Sequence, residues 1–157
     1  MEQNSITVKN VTKKFNDFML DHISFQVPAG CIVGFIGENG AGKSTTINLI
    51  LDQLQLDEGE IRILGEQNHS YLRKENIGVV FDECKFHSVL NAKDIAKILS
   101  GSYKTWDMNL FKEYMKRFNI PFDKSIEQFS KGMKMKLSII CALSHRPQIL
   151  ILDEATT

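Results

Sequence analysis

Gly37-Glu38-Asn39-Gly40-Ala41-Gly42-Lys43-Ser44-Thr45 matches the pattern G-x-x-x-x-G-K-[ST], a loop built to hold phosphate. Glycines let the backbone curl closely around phosphate oxygens, and successive N–H groups form an anion-binding nest. A helix starting near Lys43 points the positive end of its dipole at the same charge. Lys43 is placed to reach the outer phosphates, and the Ser44 hydroxyl to bind Mg²⁺. Gly37, Asn39, Gly40, Ala41, Gly42 and Thr45 join them as the candidate contacts of a nucleotide.

The flanks agree. Cys31-Ile32-Val33-Gly34-Phe35-Ile36 reads as a buried strand entering the loop, and Thr46-Ile47-Asn48-Leu49-Ile50 as a helix with an apolar face leaving it. Upstream, Ile6–Val11 and Ile23–Val27 alternate as strands do, with Pro28-Ala29-Gly30 as a turn. Downstream, Asp57-Glu58-Gly59-Glu60 turns the chain into a strand at 61–64. A short helix near Ser70–Lys74 and a strand over 77–81 come next.

From Asn91 the period lengthens to that of helices: Ile95, Ile98 and Leu99 share one face, and Leu110, Phe111, Tyr114, Met115 and Phe118 another. Ser130 reads as the N-cap of a further helix through Leu137 and Ile140, and Ile149–Leu152 as a last strand. The expected division is a β-rich and phosphate-loop part (1–83), a mainly helical part (84–143) and a closing strand (144–157), all within one α/β domain.

Bulk properties narrow the function classes. Nineteen basic residues against nineteen acidic ones leave no net field to attract nucleic acid. No apolar run approaches a membrane span, so the expected address is cytoplasmic. Cys31, Cys84 and Cys141 are too widely spaced for a metal knuckle, and Cys31 and Cys141 sit in apolar runs that predict buried thiols. Surface or turn positions account for the four histidines, His145 included.

Two further motifs complete a constellation. An apolar strand ending in Asp153-Glu154 is weak evidence alone, since acidic turns are common. Behind a phosphate loop it is the companion such a loop requires, Asp153 supporting Mg²⁺ through water and Glu154 orienting or deprotonating the attacking water. Phe129-Ser130-Lys131-Gly132-Met133-Lys134 sets a capped helix N-terminus beside a glycine that allows close approach.

In this order, the three motifs resemble those of the nucleotide-binding subunit of an ATP-binding cassette (ABC) transporter, over essentially the whole chain. The resemblance implies a P-loop NTPase fold with an N-terminal antiparallel β-subdomain and an inserted helical subdomain. It implies ATP and Mg²⁺ as ligands, and two subunits paired head to tail around two nucleotides. Ser130 and Gly132 take the serine and glycine of the family's signature, which contact the γ-phosphate held by the opposite subunit. Phe129, Lys131 and Met133 replace its commoner leucine, glycine and glutamine. Phe15 falls where the family stacks an aromatic on adenine. Asp82 stands where the family has a glutamine that touches the metal and the membrane partner; a carboxylate can still meet the metal but donates no hydrogen bond when ionised.

The resemblance further implies an ATPase working at the cytoplasmic face of a membrane beside a separate permease subunit, most similar to exporters of the drug- or antibiotic-resistance kind. A non-transport ABC module serving DNA repair, chromosomes or translation is the second reading, and a nucleotide-binding fragment without turnover the third. The chain stops before the family's D-loop and switch histidine. The expectation is therefore a truncated cassette, marginally stable and weak or inactive in hydrolysis, with two apolar strands short of a partner.

Overall fold

The structure is a computed structural model that describes residues 4–68 and 75–153. Tertiary contacts divide the chain into two compact units, Met1–Lys74 and Glu75–Thr157. The expected helix at 70–74 and Glu154 lie outside the described residues.

The first unit is built on an antiparallel sheet in the order β2-β1-β3-β4, with β1 Asn4–Lys14, β2 Met19–Pro28, β3 Glu58–Ile63 and β4 Glu66–Gln67. Period-2 patterning places Ile6, Val8, Ile61 and Ile63 in its core, all nearly inaccessible to solvent. Two strand pairings shift register between Val8 and Thr12, where Asn10 takes φ 48°, so β1 carries a bulge. Asp57 pins the strand end: its carboxylate accepts from the Lys14 N–H at 2.7 Å and from Lys13 Nζ at 3.0 Å. The backbone bond first, and then Lys13, hold that carboxyl below its usual range. Helix α1, Lys43–Ile50, buries Thr46, Leu49 and Ile50.

Cys31–Ile36 forms no strand. Ile32 and Ile36 are almost fully exposed, and Cys31 is exposed rather than buried. The apolar run marks a segment suited to burial in a sheet, but a strand also needs neighbours for its N–H and C=O groups. Among the described residues no ladder reaches it.

In the second unit, β5 Ile77–Val80 and β6 Ile149–Leu152 form a parallel two-stranded sheet in continuous register from Ile77↔Ile149 to Val80↔Leu152. Three helices accompany it: α2 Ala92–Ser102, α3 Met108–Arg117 and α4 Lys131–Ser144. Each begins where a polar side chain satisfies orphan amides. Asn91 and Asp94 form a reciprocal capping box on α2, Asp107 accepts from Asn109 and Leu110 N–H on α3, and Ser130 accepts from Met133 N–H on α4. Ile95, Phe111, Met115, Leu137 and Ile140 form the shared apolar core. Cys141 lies in it, and burial pushes its thiol far above the usual range.

His145, expected at a surface or turn position, closes α4 and is 2% exposed. Its ring stacks on Tyr103 with centroids 4.2 Å apart, and Nε2 lies 3.3 Å from the Ile77 carbonyl oxygen. Burial outweighs the two backbone carbonyls facing the ring, Cys141 and Ile77, and lowers its pKa below the ordinary 6.5. The unfolded chain therefore protonates His145 first as pH falls. Its contribution is fully present above pH ~6.5 and is lost as pH drops toward the folded-state value. Urea unfolding midpoints should fall below that pH with an extra slope from His145, and His145→Gln should abolish that extra slope. Equal slopes in both proteins would refute the assignment.

Candidate nucleotide-binding site

In the first unit the phosphate loop runs into α1 as the motif predicts. Gly42 is the residue before the helix, at φ 90°, and a Cβ there would lie 2.5 Å from Leu20 Cδ2 and 2.8 Å from Phe18 Cζ. A side chain there would be strained by the left-handed backbone, and the Leu20 and Phe18 side chains would have to shift to admit it. The Gly42 carbonyl accepts from Thr46 N and from Thr46 Oγ1, each at 2.9 Å, so the first turn is closed twice. Ala41 N donates to Glu38 O at 3.1 Å, bending the loop back on itself. Lys43 Nζ donates to Gly37 O and Glu38 O, both at 2.9 Å. The side chain thus reaches over the loop with its ammonium held at the loop's own backbone.

Phe15 stands 45% exposed in the β1–β2 connection. That connection is closed by Phe15 N–H on Phe18 O at 2.8 Å, and the two rings are 6.2 Å apart. Since Phe18 abuts Gly42, the exposed aromatic stands close to the loop's last turn. Phe18 is the residue that motif reading passed over. Its signal was an aromatic at the far end of a hairpin turn opened by another aromatic.

In the second unit, parallel register sets Asp82 and Asp153 at the same, C-terminal, end of β5 and β6. The ladder ends at Val80↔Leu152 and is extended by Asp153 N–H on Val80 O at 2.8 Å. The carboxyl end of parallel strands is where ligands of such sheets sit. Asp82 is exposed, its Oδ1 accepting from Glu83 N–H at 2.8 Å. Ser130 and Gly132 lie exposed at the start of α4. A Cβ on Gly132 would meet nothing within 4 Å, and alanine in that first turn would favour the helix by about 0.5–1 kcal/mol. Gly132→Ala should therefore raise or preserve the urea midpoint, and a large fall would show a packing role that the structure lacks.

The donor types suit the expected ligands. A serine hydroxyl at the second position of α1 and an aspartate at a strand end are hard oxygen donors of the kind Mg²⁺ takes alongside phosphate and water. A glycine loop with a lysine ammonium over it offers N–H groups and one cation to phosphate oxygens.

An antiparallel sheet and glycine loop, with helices and an aspartate-ended parallel strand, define the P-loop fold of an ATP-binding cassette. The chain belongs to the ABC transporter family, whose model matches residues 20–157. It is 33% identical over 156 residues to the uncharacterized ABC transporter ATP-binding protein YhaQ of Bacillus subtilis, covering 95% of this chain and 52% of the relative. It is 34% identical over 157 residues to the bacitracin transport ATP-binding protein BcrA of Bacillus licheniformis, covering 96% and 51%. The chain thus spans about half the length of these curated relatives. Among solved structures, the ATP binding subunit of an ABC transporter is 25% identical, with a TM-score of 0.83 over 96% of this chain and 66% of that one. A dimeric ATP-binding cassette in a post-hydrolysis state, bound to ADP and Pi, shares the fold at 24% identity and a TM-score of 0.81, covering 96% and 74%.

Proposed function

We propose that this chain is the ATP-binding part of a cassette that powers an exporter of the drug- or antibiotic-resistance type. The observation that carries the reading is the phosphate loop itself, closed at the head of α1 with Lys43 folded over its carbonyls. Lys43 leaves those carbonyls to hold the β- and γ-phosphates, and the loop amides hold the rest of the triphosphate. Mg²⁺ supplies charge neutralisation on the phosphate oxygens when bound. By resemblance to the family, Ser44 would hold it, and Asp153 and Asp82 are the acidic candidates that the second unit offers to it. Phe15 stacks on the base, a contact that needs only a π-face. Glu154 accepts the proton of the attacking water.

Ser130 and Gly132 complete the site of a second subunit paired head to tail, and α4's clear N-terminus supports that role. Closure and reopening of the pair drive a separate permease at the cytoplasmic face of the membrane. Among the described residues no helix is long and apolar enough to cross a membrane itself. The relative that carries bacitracin transport in its name supports the antibiotic part of this reading.

ATP affinity measured with and without Mg²⁺ tests the metal assignment. Asp153→Asn should lose about tenfold of the Mg²⁺-dependent increment and leave Mg²⁺-free ATP binding as it was. A variant that keeps the whole increment would remove Asp153 from the metal site.

A further inference from the structure

We propose that Phe18 is a positioning residue that ties the base-stacking aromatic to the phosphate loop, so that the base is felt at the loop backbone. The inference rests on the nucleotide reading above and adds a residue to it. Three contacts make the link. The Phe15 N–H donates to Phe18 O at 2.8 Å, which fixes the two residues at the ends of one tight connection. Their rings lie 6.2 Å apart and tilted by 31°, inside the range in which aromatic pairs attract. The far edge of the Phe18 ring then rests against Gly42, with Cζ only 2.8 Å from where a Cβ would stand.

Gly42 is the hinge of the loop. It holds φ 90°, its carbonyl accepts both bonds that close the first turn of α1, and Lys43 follows it directly. A half-buried ring pressed on that residue limits how far the loop can open. Leu20, 6% exposed, lies against the same spot and backs the contact from β2. Phe15 itself is steadied by Lys13, whose ammonium lies 5.8 Å from the ring centroid and is paired to Asp57 at 3.0 Å. A base settling on Phe15 therefore loads a ring that bears on Phe18, and Phe18 bears on the loop. A ligand with phosphates but no base engages only the last link.

Calorimetric titrations with Mg·ATP and with Mg·tripolyphosphate separate these links in the wild-type chain, Phe15→Ala, Phe18→Ala and the double variant. Phe15→Ala should lose on the order of tenfold in ATP affinity and none for tripolyphosphate. Phe18→Ala should lose a similar factor for ATP and a smaller one for tripolyphosphate. The double variant should lose clearly less than the product of the single losses. Phe18→Leu keeps an apolar body against Gly42 and removes the ring. It should fold, hold tripolyphosphate as the wild type does and still lose ATP affinity, a split that mere loss of stability would not produce. Multiplying losses, or Phe18 variants that bind ATP at wild-type strength, would overturn the proposal while leaving nucleotide binding intact. A folded wild type that binds neither ligand would overturn both readings together.

Discussion

Lys43→Ala is expected to lose about 100-fold or more of the Mg·ATP affinity while the chain stays folded. The two effects separate because the lysine does two different things. In the structure its ammonium bonds to Gly37 O and Glu38 O, in a loop whose residues 37–41 are exposed. Water can replace those bonds, so their loss costs folding no more than about 1 kcal/mol. Toward a triphosphate the same ammonium meets full negative charge, and removing it leaves phosphate oxygens without their cation. Parallel measurement of ATP affinity and urea midpoint checks both parts. Affinity within threefold of wild type would mean that Lys43 is not the phosphate ligand. A collapsed midpoint would mean that the loop is a structural element first.

Gly59→Ala should be the most damaging single methyl in the first unit, at about 4 kcal/mol of stability. Gly59, the second residue of β3, takes φ 94°, where alanine is already strained. Its added Cβ would lie 2.3 Å from Asn10 O and 2.6 Å from both Asn10 C and Lys9 O. These are backbone atoms of the β1 bulge, and the bulge is held by Ser24, whose Oγ accepts from Asn10 N–H at 2.8 Å and donates to Asn10 Oδ1 at 3.1 Å. No side chain can swing away to make room. The sheet must give up either the bulge or the β1–β3 pairing, and equilibrium urea unfolding reads the result. A loss below about 1 kcal/mol would show the pairing to be looser than these distances require.

Local rules made most of these elements readable from the residues alone. Period-2 runs gave β1 and β3, and Ser130 followed by a helical period gave α4 with its cap. The glycines and lysine of 37–45 marked a loop leading into a helix, and α1 does begin at Lys43. What resisted reading depended on partners distant in sequence. An apolar run such as Cys31–Ile36 declares an appetite for burial, yet whether it becomes a strand depends on a neighbouring ladder that its own residues do not encode. His145 looked like a polar residue after a helix, and only the ring of Tyr103 and the carbonyl of Ile77, 68 residues away, make it a core residue. Phe18 belonged to no motif because its importance lies in touching Gly42, which no spacing rule records. The carboxylates at 82 and 153 stood out in the sequence as candidate metal neighbours. Their common strand-end placement comes from the parallel register of β5 and β6.

The most direct test of the account is a calorimetric titration of Mg·ATP into this chain, with hydrogen exchange on the same sample to verify that both units are folded. The account predicts saturable single-site binding with a dissociation constant between about 1 μM and 1 mM, weakened about 100-fold or more by Lys43→Ala. A sample with the sheet and helix amides protected and no heat of binding would contradict it, because the loop would then be present without the function its residues specify.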